Sequence, residues 1–378
     1  MRTHHNVRVI VQKKLFLVSV LFFFLTGCFS VSVRRNYEGP KERPPELLAY
    51  YSKGHSYTGF SETIFAEHKD FIVKKIKIST DSGDALITLF EKKRLAGEKR
   101  DSNLVLVFPL LGGNNKIVDY FSEYFVKEGF DSAVVERSDD FKNPAHFYNM
   151  EKVLHDNVVR DRIALDFFEE HYGKKNFGSF GISRGAINVV MTAGVDARLK
   201  HNVIALGGTD LVRIMKATNE RRIENYKLDV MQKYNLSEKQ FFTQLTETLR
   251  TDPKFLAQYL DARTTLMFLG LFDKTVPIQY GMKLREGIGG PRTVYLVADH
   301  YLSAGFTGVG KAVSPTMRKI GFPFDYIEQE AVQFYDKSFE TSSKRSNGLV
   351  PFKILQAPIN AIAGAFNFIG SLVTGDGK

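Results

Sequence analysis

The chain has 378 residues, of which 43% are hydrophobic and 25% are charged. This composition is typical of a globular protein and excludes collagen-like, low-complexity and wholly disordered chains. The formal net charge is +10, and four of the positive residues lie in the first 27 positions, which contain no acidic residue. The other charges are spread along the chain without a nucleic-acid-binding motif. We therefore expect no nucleic-acid partner and at most an affinity for anionic surfaces.

The N-terminus has the pattern of an export signal. A positively charged start is followed by an uncharged stretch over residues 15–26, which is shorter than the roughly 20 apolar residues that span a bilayer. The stretch ends in Leu25-Thr26-Gly27-Cys28, so the chain's only cysteine stands where the apolar run stops. This tetrapeptide resembles the lipobox of bacterial lipoproteins. The resemblance implies cleavage after residue 27, lipidation of Cys28, and a location in the cell envelope, at the outer membrane or the periplasmic face of the inner membrane. A plain secreted protein and a signal anchor are the alternatives.

The chain between this leader and the folded body predicts a tether. Residues 28–48 combine charges with prolines and show no apolar period. Because a single cysteine allows no intramolecular disulfide, the core has to supply the stability. We expect the folded domain over residues 49–325 and a helical, apolar extension over residues 326–378. Within that extension, the segment 349–373 would either lie against a membrane or a partner, or dock onto the body.

The body alternates strand and helix patterns. Two opening strands are predicted at 71–78 and 85–90, and the apolar run at 104–108 is continuous enough for a strand buried on both faces. Helix and strand patterns then alternate as far as the short strand at 176–180. This alternation predicts an α/β fold with a mostly parallel central sheet flanked by helices.

The alternation breaks after a strand at 203–206. Residues 211–262 show no strand pattern but contain helix signals, namely Ser237 with Gln240 as a capping box and Asp252-Pro253 as a helix start. Strand patterns resume at 264–269 and 293–297. We therefore expect a helical insertion over residues 211–262, which would form a lid.

One glycine-rich segment suggests a catalytic turn. Gly181-Ile182-Ser183-Arg184-Gly185 follows a predicted strand and precedes a run compatible with a helix. It matches G-x-S-x-G, in which the flanking glycines allow a sharp turn that exposes the serine hydroxyl. The alternative is a turn of a nucleotide-binding fold, although neither G-x-G-x-x-G nor a P-loop lysine pattern is present.

A serine nucleophile needs a base to accept its proton and an acid to orient that base. Downstream of Ser183, Asp273 and His300 each follow one of the two late strands. Asp210 is a second candidate for the acid, and Asp299 is a weaker one because neighbours on an extended chain point to opposite faces. Each residue also has a structural alternative, as a turn residue or as a cap at the end of a strand.

The order of serine, acid and histidine, each after a strand, resembles that of the α/β-hydrolase superfamily over about residues 71–303. The resemblance implies that Ser183, Asp273 and His300 form a catalytic triad. It implies an α/β-hydrolase fold with a lid, and catalysis through an acyl-enzyme without a metal or cofactor.

The resemblance also implies an oxyanion hole, formed by the N–H of Arg184 and an N–H from the loop after the third strand. That loop departs from the family's common His-Gly, because it contains Pro109, which has no N–H. Leu111 or Leu110 would then supply the second donor, and the two glycines that follow are alternatively an ordinary turn. The side chain of Arg184 would recognise an anionic group of the substrate or pair with an acid on a neighbouring loop.

Together these features predict a membrane-anchored serine hydrolase that cleaves an ester, thioester or amide of a small-molecule or acyl substrate. The alternative is a catalytically silent protein of the same fold that binds a ligand or a partner. A dehalogenase is disfavoured because that chemistry on this fold places a carboxylate at the elbow, where this chain has Ser183. The bond type and the oligomeric state stay open.

Overall fold

A computed structural model of the chain describes residues 28–52, 57–81, 83–94, 102–111, 113, 116–137, 143–309 and 325–340. The export signal at 1–27 and the apolar segment at 349–373 lie outside these residues. Within the described ranges, no helix has both the length and the apolar character needed to cross a membrane.

Ten strands of the described chain form a single sheet. The strands are β1 Cys28–Val31, β2 Gly59–Glu67, β3 Phe71–Ser79, β4 Ala85–Lys92, β5 Asn103–Phe108, β6 Ser132–Val135, β7 Asn176–Ile182, β8 Leu199–Ala205, β9 Thr265–Gly270 and β10 Arg292–Leu296. Their order in the sheet is β1-β10-β9-β8-β7-β5-β6-β4-β3-β2. Strands β5 to β10 run parallel to one another, whereas β2, β3 and β4 are antiparallel at one side and β1 is antiparallel at the opposite edge.

Helices cover both faces of this sheet. The helices are α1 Pro45–Tyr50, α2 Lys116–Lys127, α3 Met150–Tyr172, α4 Arg184–Val195, α5 Leu211–Ala217, α6 Arg221–Tyr234, α7 Glu238–Thr248, α8 Pro253–Leu256, α9 Ile278–Ile288 and α10 Tyr326–Ser338. Helices α3, α4 and α9 pack on one face of the sheet, and α2 and α10 pack on the other. The fold predicted from the sequence, a mostly parallel central sheet flanked by helices, is confirmed.

The segment between the sheet strands β8 and β9 is helical, where the sequence predicted an insertion over residues 211–262. Helices α5 to α8 all lie in it. Its last part packs on the body, because Leu256 lies so close to Gly194 of α4 that a Cβ on the glycine would come within 2.7 Å of it. Its first part lies at the carboxyl edge of the sheet, where β8 ends.

The segment predicted as a tether packs against the body instead. Strand β1 pairs with β10, and the ring of Phe29 stacks on Tyr295 with centroids 4.9 Å apart. Arg43 donates hydrogen bonds to the backbone carbonyls of Gly194, Ala193 and Tyr259. The folded body therefore begins earlier than residue 49. The sequence did not predict this packing because the segment has no apolar period of its own, and its partners lie in distant parts of the chain.

Helix α10 is also part of the body, although the sequence placed it in a separate extension from residue 326. Tyr335 is fully buried, and its hydroxyl donates a hydrogen bond of 2.5 Å to the carbonyl of Ser179 in β7. Glu330 forms an ion pair of 2.6 Å with Arg292. The domain therefore extends past residue 325, because this helix completes the core on one face of the sheet.

Helix α10 carries a buried carboxyl group. The Oε1 atom of Glu328 accepts a hydrogen bond of 2.8 Å from the N–H of Gly308. The pKa of Glu328 is raised to about 8, mainly by burial and to a smaller extent by the charge of Asp325. Hydrogen bonds from backbone N–H groups and from the hydroxyl of Tyr120 oppose this shift. The phenol groups of Tyr120 and Tyr124 face the same site.

This carboxyl group predicts a pH dependence of stability. The folded state keeps the proton of Glu328 to a higher pH than the unfolded chain, so its contribution is fully present below the unfolded pKa and is lost as the pH rises. We expect the free energy of unfolding to fall between about pH 5 and pH 8, by at most about 1.4 kcal/mol per pH unit from this group. Urea unfolding at several pH values should show that Glu328→Gln removes this component. The matched control is Glu123→Gln on the surface of α2. If the free energy of unfolding depends on pH as steeply in Glu328→Gln as in the unaltered protein, the argument is wrong.

Candidate active site

Ser183 lies at the sharp turn between β7 and α4. Its backbone has φ 56° and ψ −120°, which non-glycine residues rarely adopt and which costs on the order of 1–3 kcal/mol. Its N–H donates a hydrogen bond of 2.8 Å to the carbonyl of Ala205 at the end of β8. The turn is thereby held against the neighbouring strand.

The two flanking glycines allow backbone segments to approach one another closely. A Cβ atom on Gly181 would lie 2.4 Å from the carbonyl oxygen of Gly185, and one on Gly185 would lie 2.4 Å from the carbonyl oxygen of Phe108. Neither neighbour is a flexible side chain, so a larger residue at either position would displace backbone. The sharp turn thus requires glycine on both sides of the serine.

The structure brings Ser183, Asp273 and His300 together at the carboxyl edge of the sheet. The Nε2 atom of His300 lies 2.9 Å from the Oγ atom of Ser183, and its Nδ1 atom lies 2.7 Å from the Oδ2 atom of Asp273. Asp273 is buried, and its other oxygen accepts hydrogen bonds of 2.9 Å from the N–H groups of Thr275 and Val276. A proton on Nδ1 leaves Nε2 free to accept the serine proton.

The other candidate acids have different partners. Asp210 caps α5, where its side chain accepts a hydrogen bond from the N–H of Arg213. Asp299 accepts a hydrogen bond of 2.7 Å from the N–H of Leu302, within the turn that follows His300.

The other histidine downstream of Ser183, His201, does not belong to this group. His201 lies in β8, with its ring edge-on to Phe339 at 5.2 Å. Burial, with the nearby charge of Lys200, lowers its pKa to about 4. Among the described residues, no group of three or more histidine, cysteine, aspartate or glutamate side chains is arranged to hold a metal ion.

The loop predicted to complete an oxyanion hole lies beside the serine. Leu110, Leu111 and Arg184 line the same cavity as Ser183 and His300. The carbonyl of Leu110 accepts a hydrogen bond of 3.1 Å from the N–H of Gly113. Because C=O and N–H point in opposite directions across a trans peptide, the N–H of Leu111 points away from this turn. The N–H of Arg184 belongs to the first turn of α4. Gly112 lies outside the described residues.

Arg184 is half-buried and lines the same cavity as Ser183. Burial lowers its pKa to about 9, the positive charge of Arg137 adds to this shift, and the attraction of Asp252 opposes it. Recognition of an anionic substrate group stays a prediction. Pairing of Arg184 with an acid stays a prediction as well.

A cavity of about 300 Å³ opens beside the serine hydroxyl. Its walls are mostly apolar, and the described helices α4, α5 and α6 all contribute to it. The apolar lining includes Ile187, Leu206, Leu211, Ile214, Met215 and Val276. The first helices of the insertion therefore form one wall of the site.

A polar network, which we call the clasp, joins three loops at the mouth of this cavity. It consists of Glu220, Arg222 and Tyr301. The Tyr301 hydroxyl donates to Oε2 of Glu220 at 2.6 Å, and Nε of Arg222 donates to Oε1 of Glu220 at 2.8 Å. The Nη1 atom of Arg222 then donates to the carbonyl of Leu111 at 2.8 Å. The insertion, the histidine loop and the predicted oxyanion loop are thereby linked.

The clasp keeps its charge over a wide pH range. Burial raises the pKa of Glu220, but hydrogen bonds from Arg222 and Tyr301 outweigh this effect and lower the pKa to about 2. The sequence did not predict the clasp, because its members are charged or polar, and Glu220 and Arg222 lie 81 and 111 positions from their partners Tyr301 and Leu111.

No protein-family model matches the chain, and no curated protein matches it in sequence. Many solved structures are similar to it in architecture, among them two acetyl xylan esterases. Acetyl xylan esterase 1 from Thermoanaerobacterium sp. JW/SL YS485 is 15% identical, with a TM-score of 0.54 over 80% of this chain and 97% of that one. An acetyl xylan esterase from Paenibacillus sp. R4 is 17% identical, with a TM-score of 0.51 over 70% of this chain and 92% of that one. The chain thus has the α/β-hydrolase fold that its sequence predicted.

Proposed function

We propose that the chain is a serine hydrolase that cleaves esters with an apolar acyl group and is held at a membrane through Cys28. The observation that carries the hydrolase proposal is the pair of hydrogen bonds that link Ser183 to His300 at 2.9 Å and His300 to Asp273 at 2.7 Å. These distances lie within the range over which a general base acts on a nucleophile.

The first half of the reaction forms an acyl-enzyme. The Oγ atom of Ser183 attacks the carbonyl carbon of the ester while Nε2 of His300 accepts the serine proton. Asp273 holds the imidazole through Nδ1 and stabilises the imidazolium. The tetrahedral intermediate then collapses, the bond to the alcohol breaks, and His300 gives the proton to the departing oxygen. Water repeats the sequence on the acyl-enzyme and releases the acid.

The negative oxygen of each tetrahedral intermediate needs hydrogen-bond donors. We assign this role to the N–H groups of Arg184 and Leu111, because the turn at Leu110 directs the N–H of Leu111 outward. The clasp acts on the same loop, since Arg222 binds the carbonyl of Leu111. Removal of one oxyanion donor costs about 10²–10³ in rate in other hydrolases, so the position of this loop decides how fast the enzyme works.

The cavity supports an apolar acyl group as part of the substrate. Its lining beyond the serine is aliphatic, and the charged groups of the clasp stand at its mouth. The names of the two similar structures, both acetyl xylan esterases, agree with an ester as the bond that is cleaved. The helices of the insertion would act as a lid that limits the length of the acyl group.

Anchoring rests on the sequence around Cys28. The cysteine follows the apolar run at the position where lipidation occurs in bacterial lipoproteins. Several acyl chains bind a bilayer far more firmly than one, at about 0.8 kcal/mol per buried methylene. The proposed location is therefore the cell envelope.

The nucleophile and the acid can be tested directly. We expect a fluorophosphonate probe to label the purified chain and Ser183→Ala to abolish labelling and hydrolysis of p-nitrophenyl esters. Asp273→Asn should lower kcat by about 10⁴-fold, because the imidazole would then adopt the wrong tautomer. Asp299→Asn is the matched control and should keep most of the activity. Absence of labelling in the unaltered chain, beside a control hydrolase that is labelled, would favour the catalytically silent binder instead.

The acyl cavity predicts a chain-length preference. Ile214 of α5 lies on its wall, so Ile214→Phe should shorten the longest acyl group that is hydrolysed efficiently. We expect kcat/KM for the longest accepted ester to fall about tenfold or more, since one methylene in an apolar pocket is worth about 10–200-fold. Leu228→Phe, on the exposed side of α6, serves as the control. A parallel loss for all chain lengths would contradict the assignment of this wall.

The clasp predicts an effect on kcat. Glu220→Gln removes the charge that holds Arg222 against Leu111, and a hydrogen bond to a charged group is worth about 1.5–3 kcal/mol. We expect kcat to fall about tenfold or more while KM changes little, because the oxyanion loop acts on the transition state. Glu238→Gln, an exposed glutamate of the same insertion that pairs with Lys227, should leave kcat unchanged. A rise in KM alone would assign the clasp to substrate binding.

A further inference from the structure

Four exposed side chains lie together at the carboxyl edge of the sheet, and we call them the rim: Phe272, Lys274, Tyr301 and Leu302. Phe272, Tyr301 and Leu302 are 61%, 63% and 68% exposed, and a cluster of exposed apolar side chains is typical of a contact surface. Phe272, Lys274 and Tyr301 line one depression, together with Asp299, and Leu302 follows Tyr301 in the chain. The rim thus combines apolar and aromatic surface with the positive charge of Lys274.

The rim adjoins the opening of the acyl cavity. Thr275, His300 and Tyr301 line both the depression and the cavity. A molecule that rests on the rim therefore lies beside the imidazole of His300.

Cys28 lies at the same edge of the sheet. Strand β1 runs antiparallel to β10, and its first residue, Cys28, pairs with Leu296, the last residue of β10. His300 is only four positions after Leu296 in the chain, which is at most about 14 Å of extended chain. The rim is tied to the segment that follows β10, because the N–H of Phe272 donates to the carbonyl of Ala298 at 3.1 Å.

We infer that the rim lies against the bilayer that holds the lipidated Cys28, so that the enzyme takes its acyl ester from the membrane surface. This inference rests on the anchoring proposed above. An anchor at the carboxyl edge brings that edge, and not the opposite one, to the lipid. Aromatic and leucine side chains enter the boundary between headgroups and acyl chains, and a lysine beside them binds anionic headgroups.

A second exposed apolar patch offers a control within the same molecule. Phe60, Ile64 and Phe65 of β2 are also exposed. They lie on the edge strand at the other side of the sheet, nine strand positions from β1. This separation corresponds to roughly 40 Å at 4.7–4.9 Å between strands. If exposure alone drove membrane contact, both patches would touch lipid.

The absence of tryptophan from the chain makes a direct test possible. Phe272→Trp and Phe65→Trp each introduce a single fluorophore at an exposed phenylalanine, in the full chain with its own leader. Each variant is produced in a bacterial host, and labelling with radioactive palmitate establishes that Cys28 is lipidated. The lipoprotein is then reconstituted into vesicles of phosphatidylcholine and phosphatidylglycerol, with or without brominated acyl chains. Circular dichroism checks the fold of both variants.

We expect brominated lipid to reduce the fluorescence of Phe272→Trp about twofold or more, because interfacial side chains sit roughly 5–10 Å into the boundary region. The fluorescence of Phe65→Trp should stay unchanged. In palmitate-labelled protein, the orientation is overturned if both variants are quenched equally or if Phe65→Trp alone is quenched. It is also overturned if neither variant is quenched, a result that would favour a protein partner at the rim. Absence of palmitate would overturn the anchor and this inference together, whereas fluorophosphonate labelling reports separately on the hydrolase.

Discussion

The close approach of three backbone segments at the nucleophile turn is the constraint on which the site depends. Gly181 and Gly185 bring β7, α4 and β5 so near that a Cβ atom on either glycine would collide with backbone. Ser183 then has to adopt a positive φ, at a cost on the order of 1–3 kcal/mol. Burial of α4 offsets this strain, because every residue from Gly185 to Val195 is buried and each large aliphatic side chain contributes about 1.5–3 kcal/mol. Core packing thus holds the hydroxyl in place.

The parallel strands explain why sequence order alone could predict which side chains meet at the candidate site. β7, β9 and β10 all run in one direction, so the segments that follow them emerge at one edge of the sheet. Ser183, Asp273 and His300 each follow one of these strands. The apolar residues of β9 and β10 are visible in the sequence, and β7 is marked by the glycine-rich turn that follows it. The candidate acids differ only in local geometry. Asp273 reaches the imidazole because the N–H groups of the next turn hold its other oxygen, and sequence does not reveal that orientation.

Other parts of the fold carried no local signal. Most residues of β2 are exposed, so the alternation that identifies a half-buried strand is absent there. β1 is short, and only pairing with β10, more than 260 positions away, defines it. The clasp has the same origin: Arg222 and Leu111 are separated by 111 positions, and Tyr301 and Glu220 by 81. Charged residues on a helical insertion are typical of a solvated surface, and only the fold shows that they meet.

The charges around the serine favour a negative intermediate. Arg137 binds Asp161 through two hydrogen bonds of 2.7 and 2.6 Å and lies over the ring of Phe108. Its charge opposes that of Arg184, whose lowered pKa still leaves the guanidinium protonated at neutral pH. Two like charges near a buried turn are unfavourable in the resting protein. In the proposed reaction their potential would become favourable as an oxyanion forms at Ser183, because a fixed positive charge needs no reorganisation at that moment. The destabilisation of the resting state and the stabilisation of the intermediate therefore have the same physical source.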